Sequence, residues 1–295
     1  MILIVGCGFL GSYLARCASS KTDEPILATI RDTSNIIPVK NIEYVKCDVT
    51  EKSDLTSLAE RCGNEPLTVF YFAACHNIDY VFANPEAARK INVEALKSFF
   101  EIMPNIKKFF FASTDCVYGE GNGNVKFTEA SLLSPVNEYG RQKAEAESIV
   151  ISEGFTVLRL PFMLGQSLAM KLHFYDNINS KLSRREAVEM IDGMKRSVLS
   201  YKQTAELIYS LSSLSDGTPQ IINVCSDTEL SKYEIGCILA RKLNASVDLI
   251  KSISEEEGKK FFKDKRASCT AMDNSLIKEL LGIEKIVWEE SEQLN

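Results

Sequence analysis

The sequence predicts an α/β protein: a doubly wound parallel sheet with a smaller C-terminal lobe. Apolar runs of strand length alternate with helix-length stretches through residues 1–165. The runs are continuously apolar, as strands buried on both faces by crossover helices must be. The first run ends in a glycine-rich turn that opens a helix.

The run at 2–5, Ile-Leu-Ile-Val, is the first strand, and 10–18 is the first helix. Strands follow at 26–30 and at 42–45, the latter running out at Cys47-Asp48, with a helix over 55–59. Residues 67–74 form a long apolar strand, 86–103 a helical stretch and 107–112 another strand. A helix carrying Tyr139 comes next, then a strand at 156–160 stopped by Pro161. Beyond Pro161 the pattern turns irregular, and 165–195 shows no strand order. A helix at 205–214, a strand at 221–224 and a helix at 232–242 complete the readable pattern. The tail, with Glu255-Glu256-Glu257 and Lys259-Lys260, reads as a solvated helical surface.

Composition excludes several functions. The chain has 295 residues, 45% hydrophobic and 25% charged, as an ordinary globular protein has. A net charge of -6 offers no general attraction to nucleic acid or to an anionic membrane. Nine cysteines, odd in number and without a C-x-x-C pair, indicate reduced thiols and a cytoplasmic location. With His76 and His173 as the two histidines, no His-rich metal site is expected, and no metal. A Ser-His-Asp triad has no supporting motif. The apolar start is too short for a signal peptide, and no apolar stretch is long enough to span a bilayer.

Gly6-Cys7-Gly8-Phe9-Leu10-Gly11 is a G-x-G-x-x-G between the first strand and the first helix. In that context the spacing binds a dinucleotide. Gly6 permits the turn, Gly8 lets backbone approach a pyrophosphate, and Gly11 lets the helix pack close to the strand. The helix start turns free N–H groups toward the anion. The end of the second strand reads Thr29-Ile30-Arg31-Asp32. A guanidinium at Arg31 suits a 2′-phosphate and favours NADP(H); Asp32, one place later, leaves NAD(H) open. Arg31 is otherwise a surface cation. Asp48 is placed to accept from an adenine amino group, or else caps the next helix.

In Asn137-Glu138-Tyr139-Gly140-Arg141-Gln142-Lys143, Tyr139 and Lys143 stand four residues apart on one helix face. An ammonium fixed beside a phenol lowers the phenol pKa from about 10. Such a phenol exchanges a proton with a substrate oxygen near neutral pH. Alone, the spacing is most often a surface pair.

Taken together, the glycine loop, Ser113-Thr114 and the Tyr139/Lys143 pair resemble the extended short-chain dehydrogenase/reductase family of the NAD-dependent epimerase/dehydratase superfamily. That resemblance implies a Rossmann-type fold and runs over residues 1–240, fading in the tail. Phe72-Ala73-Ala74 resembles the family motif that lines the cofactor. Ile91-Asn92-Val93-Glu94-Ala95-Leu96 resembles its helix motif, whose asparagine supports the active-site strands. Leu158-Arg159-Leu160-Pro161 resembles the strand before the nicotinamide-contacting backbone, and Asn223-Val224-Cys225-Ser226 the strand that closes the substrate lobe. Ala73-Ala74-Cys75-His76-Asn77-Ile78-Asp79, Asn84-Pro85-Glu86 and Ser113-Thr114-Asp115 are most similar to the dTDP-4-dehydrorhamnose reductase branch. Two departures stand out. Cys116 replaces the second acid of the dehydratases, and a thiol poorly replaces the carboxylate that abstracts a C5 proton. Gln203 replaces a structural aspartate.

The resemblance implies an enzyme with Thr114, Tyr139 and Lys143 as its catalytic set. Tyr139 protonates the substrate oxygen, Lys143 binds the nicotinamide ribose, and Thr114 orients the reacting oxygen. Thr114 is preferred to Ser113 because adjacent strand residues alternate faces. Cofactor contacts are expected from Gly6, Gly8, Phe9, Leu10, Gly11, Arg31, Asp48, Val49, Ala73, Ala74, Asn92, Tyr139, Lys143 and Pro161. The implied substrate is a nucleotide-diphosphate sugar, met by Cys75, His76, Asp115 and Arg196. Cys75 is alternatively packing and His76 a satisfied loop histidine. Arg196 matches a position that clamps a pyrophosphate, or is half of a solvated basic pair. The expected organisation is a dinucleotide-binding domain over 1–165, with a return segment near 196–226. A substrate-binding lobe is then assembled from 166–195 and 227–295. The expected reaction is NAD(P)H-dependent reduction of a nucleotide-activated 4-keto-6-deoxy sugar. A nucleotide-sugar 4-epimerase holding NAD uses the same residues, and a non-enzymatic NADP-binding regulatory protein is a third reading. Family members often form homodimers through helices that include the one bearing Tyr139.

Overall fold

The structure, a computed structural model, describes residues 1–32, 38–168, 172–214 and 217–288. The strands of its first half are β1 (Ile2–Val5), β2 (Ile26–Ile30), β3 (Ile42–Lys46), β4 (Leu67–Tyr71), β5 (Ile106–Thr114) and β6 (Thr156–Leu160). Then come β7 (Phe162–Leu164), β8 (Val188–Ile191), β9 (Lys195–Ser200), β10 (Ile221–Asn223), β11 (Glu229–Leu230), β12 (Ile250–Ile253) and β13 (Cys269–Thr270). The helices are α1 (Phe9–Ser19), α2 (Lys52–Cys62), α3 (Ile78–Ala83), α4 (Pro85–Arg89), α5 (Ala95–Ile102) and α6 (Glu138–Ser152), followed by α7 (Phe174–Ser183), α8 (Tyr201–Ser212), α9 (Lys232–Lys242), α10 (Glu255–Lys259) and α11 (Ser275–Leu281).

Seven strands form one parallel sheet in the order β10-β6-β5-β4-β1-β2-β3. The order reverses between β1 and β4, the switch point where α/β sheets bind ligands outside their carboxyl ends. Period-2 alternation sends Ile4, Phe70, Phe110 and Leu158 to one face, against Leu14, Ile208, Leu211 and Ile277 of α1, α8 and α11. Leu3, Val69, Phe109 and Phe111 face the other way, onto Leu55, Leu58, Phe99 and Val150 of α2, α5 and α6. Burying each such side chain is worth about 1.5–3 kcal/mol, which makes the two-sided sheet the rigid part of the molecule.

Two stretches differ from the sequence expectation. The helix expected over 86–103 is α4 and α5 joined by a π-helical turn, Lys90–Glu94. The irregular 165–195 stretch contains α7 and β8, and β8 pairs in parallel with the distant β12. A strand of four residues whose partner lies so far along the chain leaves almost no local pattern. With β9, α9 and β12 these elements enclose a separate core of Leu164, Ile178, Leu182, Val198, Ile235, Leu239 and Ile250.

The tail is a correction. Its charged run forms only the short α10, whose Gly258 is buried under Ile191. Beyond it the chain turns inward: β13 pairs with β9, Met272 N–H donates to Ser197 (2.9 Å), and Asn274 donates to the Cys225 carbonyl (3.0 Å).

A buried polar network joins these parts. Arg159 on β6 donates to Glu147 on α6 (2.7 Å), to the Tyr118 hydroxyl (2.9 Å) and to the Glu129 carbonyl (3.2 Å). Ser113 on β5 donates its hydroxyl to the same Glu147. Tyr118 donates onward to Asn223 on β10 (2.6 Å), whose amide reaches the Phe127 and Asp273 carbonyls (3.0 and 3.1 Å). Both charges are almost fully buried, so removing one partner strands the other. Arg159→Met should therefore cost about 3–5 kcal/mol of unfolding free energy. The double variant Glu147→Leu with Arg159→Met should recover part of that loss. Urea unfolding of the two proteins checks this; equal losses would show that the stranded charge is not the cause.

Candidate active site

The glycine loop occupies the switch point. Gly6 has φ +91°, and a Cβ there would lie 2.6 Å from the Ala73 nitrogen. The loops after β1 and β4 touch because the N–H groups of Phe72 and Ala73 both donate to the Val5 carbonyl (2.8 and 3.0 Å). That double contact ends at Tyr71 the strand expected to run to 74. Gly8 is different: it is exposed, and nothing lies within 4 Å of a Cβ built on it. It is the N-cap of the eleven-residue α1, with no side-chain cap and no acid in the first turn. The first N–H groups of such a helix lack intrahelical acceptors and carry partial positive charge. Open space over Gly8 and those donors fit a pyrophosphate. Phe9 and Leu10 continue this turn, with Leu10 buried and Phe9 half-buried.

Arg31 is exposed at the end of β2. Asp48 accepts from the backbone N–H and the hydroxyl of Thr50 (3.0 and 2.7 Å), and the N–H bond foremost holds its carboxyl below the usual range. It lies ahead of Glu51, the N-cap of α2, so it shapes the approach turn rather than capping the helix. Val49 beside it is buried. Asn92, from the π-helical turn, accepts from the Cys75 N–H (2.8 Å) and donates to the Cys75 carbonyl (3.1 Å) and to Gln142 (3.0 Å). It is buried and holds the 73–75 loop, so it acts through that backbone. Gln203 completes the N-terminal cap of α8 with Ser200, a structural place.

Between the sheet edge and the smaller core lies a cavity of about 300 Å³. Thr114, Asp115, Tyr139 and Pro161 line one side of it, and Arg196, Lys232 and Arg266 line the other. Tyr139 comes from the first turn of α6, set by Asn137, which accepts from the Gly140 N–H (2.8 Å). One turn on, Lys143 is buried, donates to the Ala112 carbonyl (2.6 Å) and lies 3.8 Å from the centroid of the Phe111 ring.

Two electrostatic features depart from the expected Tyr/Lys chemistry. Burial pushes the Lys143 ammonium down to about 7, opposed by Glu147. Burial also raises the Tyr139 hydroxyl above its ordinary value, reinforced by Cys116, Asp115 and Cys75. The sequence reading expected a lowered tyrosine, but Lys143 is engaged by the β5 carbonyl and burial dominates. Tyr139 therefore holds its proton at neutral pH.

Thr114 accepts from the Cys116 N–H (3.2 Å) and donates to Asp115 (3.0 Å), while Ser113 serves Glu147, as alternation along β5 requires. Asp115 also accepts from Thr270 and from Arg196 (3.3 Å). Arg196 is thus no part of a solvated basic pair. It also reaches the Cys116 sulfur at 3.9 Å. Burial, then Asp115, raises the Cys116 thiol, so it stays protonated and cannot stand in for a carboxylate base. His76 lines the cavity. Cys75 packs with Cys116 and Tyr139 outside that lining.

Sequence reasoning missed several lining residues. His173 lies 4.6 Å from the Phe9 ring and 3.4 Å from the Tyr201 hydroxyl, which brings the segment after β7 over the glycine loop. Phe262 and Arg266 come from the tail, and Lys232 starts α9. In a charge-rich segment such residues look like surface; only the pairing of β13 with β9 folds them inward. Among the described residues, no group of three or more His, Cys, Asp or Glu side chains could hold a metal, and no helix is long and apolar enough to cross a membrane.

The two loop glycines should separate on substitution. Gly6→Ala forces a strained φ and a clash with Ala73, and should cost roughly 1–3 kcal/mol or more. Gly8→Ala should leave the thermal unfolding midpoint close to wild type. A normal midpoint for Gly6→Ala would contradict the close approach of the two loops.

The chain matches the family described as RmlD substrate binding domain over residues 1–294. It is 27% identical over 309 residues to the uncharacterized UDP-glucose epimerase YtcB of Bacillus subtilis, covering 95% of this chain and 91% of that protein. A hypothetical dTDP-4-dehydrorhamnose reductase from Sulfolobus tokodaii superposes with a TM-score of 0.78 at 20% identity, covering 98% of each chain. The UDP-glucuronic acid 4-epimerase of Bacillus cereus, solved with UDP-glucuronic acid and NAD, superposes with a TM-score of 0.81 at 16% identity, covering 97% of this chain and 95% of that one. The two structures share the fold, and the match over nearly the full length shows that the chain belongs to the RmlD substrate-binding-domain family.

Proposed function

We propose that the protein reduces the keto group of a nucleotide-activated 4-keto-6-deoxy sugar, using NAD(P)H. The observation that carries this reading is the gathering of Thr114, Tyr139 and Lys143 at the carboxyl end of β5. They stand beside the glycine-loop switch point and open onto one cavity with a cationic far wall. Gly6, Gly8, Phe9, Leu10, Gly11, Ala73, Ala74 and Pro161 would hold the dinucleotide, and Arg31 favours a 2′-phosphate, hence NADP(H). When bound, the nicotinamide supplies a hydride to the carbonyl carbon.

Tyr139 gives its proton to the carbonyl oxygen; its raised pKa keeps that proton in place until the oxygen gains charge. Thr114 turns its hydroxyl from Asp115 to the same oxygen and orients it. Lys143, as an ammonium, stabilises the phenolate left behind. Cys116 offers no base for dehydration. A 4-epimerase holding NAD is the second reading, favoured by the likeness to YtcB and to the Bacillus cereus enzyme. NADPH consumption with a 4-keto-6-deoxy nucleotide sugar supports reduction. Cofactor retained through purification, with interconversion of 4-epimers, supports the alternative.

Tyr139→Phe should lower turnover by about 10²–10⁴-fold with cofactor affinity retained. Near-normal turnover in that variant would remove Tyr139 from the mechanism. Lys143 also gives a pH signature. A lysine loses its charge as pH rises, so NADPH affinity should weaken as pH climbs through about 7. Lys143→Arg should flatten that dependence, because a guanidinium stays charged. Fluorescence titration of NADPH from about pH 6 to about pH 9 measures both slopes; identical slopes would rule out Lys143 as the cofactor's charged contact.

A further inference from the structure

Three cations face the cavity: Arg196 from β9, Lys232 from the first turn of α9, and Arg266 from the segment after α10. Two of them are already neutralised. Arg196 pairs with Asp115 at 3.3 Å, and Arg266 with Asp79 at 2.8 Å. Lys232 is different. The nearest acid on its own helix, Glu234, is committed to the Ser231 N–H (2.7 Å) and to Lys195 (3.6 Å). Among the described residues no carboxylate pairs with Lys232. Its ammonium lies between two rings instead, 5.5 Å from the centroid of Phe174 and 5.4 Å from that of Phe262. Rings attract a cation but leave its charge standing.

Lys232 also opens the eleven-residue α9, so the positive end of that helix adds to its field. Three cations against two carboxylates leave one positive charge inside a largely buried pocket, in a chain whose net charge is -6. An uncompensated buried charge is unfavourable until an anion reaches it. An incoming anion could capture Arg196 only by stripping Asp115 of its partner, and Arg266 only by stripping Asp79. Lys232 gives up no ion pair.

We propose that Lys232 is the charged anchor for a compact anionic group of the substrate, a phosphoryl or carboxylate oxygen, and that Arg196 and Arg266 shape the site as ion-paired walls. This rests on the nucleotide-sugar reading of the cavity, which supplies both kinds of oxygen: the diphosphate, or the carboxylate of a uronic acid. The site is proton-linked. Burial, then Arg196 and Arg266, push the Lys232 ammonium down to about 8, with Asp79 opposing. Anion affinity should therefore fall as pH rises through that range.

Lys232→Met keeps the stem length and removes the charge; Lys232→Arg keeps a permanent charge. Circular dichroism and the unfolding midpoint of each variant establish that it folds. Binding of inorganic pyrophosphate, UDP-glucose and UDP-glucuronate is then measured by calorimetry. Lys232→Met should weaken binding by at least about tenfold near pH 7, the scale of a lost hydrogen bond to a charged group. Lys232→Arg should stay near wild type and lose the alkaline fall-off. Comparable loss for pyrophosphate and both sugars assigns the phosphoryl group; loss confined to UDP-glucuronate assigns the sugar carboxylate. Pyrophosphate bound through Lys232 with neither nucleotide sugar bound would keep the anchor and remove the nucleotide-sugar reading. Wild-type affinity for all three probes in a folded Lys232→Met, or no binding of any probe to wild type, overturns the proposal.

Discussion

Two buried contacts between α6 and the end of β5 set the geometry of the site. Lys143 reaches the Ala112 carbonyl, and Glu147, one turn later, takes the hydroxyl of the next strand residue, Ser113. Adjacent residues on a strand and residues four apart on a helix thus meet in register. The match fixes both the rotation of α6 and its height along β5. Tyr139, one turn before Lys143, is then carried to the strand edge where Thr114 stands. Arg159 locks the arrangement from β6 and passes it through Tyr118 and Asn223 to the segment at Asp273. The segment that closes the smaller core is thereby tied to the elements that carry Tyr139.

The site keeps its charges in pairs. Asp115 is surrounded by Thr114, Thr270 and Arg196, and Arg266 leans on Asp79. Such pairing gives shape at little net gain in stability, since desolvation offsets much of the attraction. It also confines reactivity. A carboxylate with three donors is a poor general base, and Cys116 beside it is held as a thiol. What remains free to exchange a proton is the buried phenol and, near neutrality, the buried amine. The field of this pocket is therefore organised around donors.

The sheet was legible because each of its strands is buried on both faces and announces itself as an apolar run. The glycine loop was legible because each glycine answers a local steric demand, as the approach of Ala73 to Gly6 shows. Thr114 over Ser113 followed from alternation alone. The smaller core was not legible, because β8 and β12 pair across a long separation and neither carries a repeating pattern. Arg266 and Phe262 were hidden for the same reason: the segment that bears them is polar along its length and becomes pocket wall only through tertiary pairing. The direction of the Tyr139 shift was misread because spacing specifies which residues share a helix face, not where a long lysine side chain finds its acceptor.

The π-helical turn at Lys90–Glu94 has a further consequence. An ordinary helix from Pro85 to Ile102 has one rotational phase, so a single stripe would have to serve everything it touches. The wider turn resets that phase midway. Before it, the helix presents Ala88 toward Val81 and Cys116; within it, Asn92 clamps Cys75; after it, Leu96 and Phe99 enter the core beneath the sheet. Removing one residue from the turn would rotate α5 by about 100° relative to α4. Either the clamp on the 73–75 loop or the packing of Phe99 would then be lost. The chain thus keeps two gears on one shaft, and the extra residue is what lets them mesh with different neighbours.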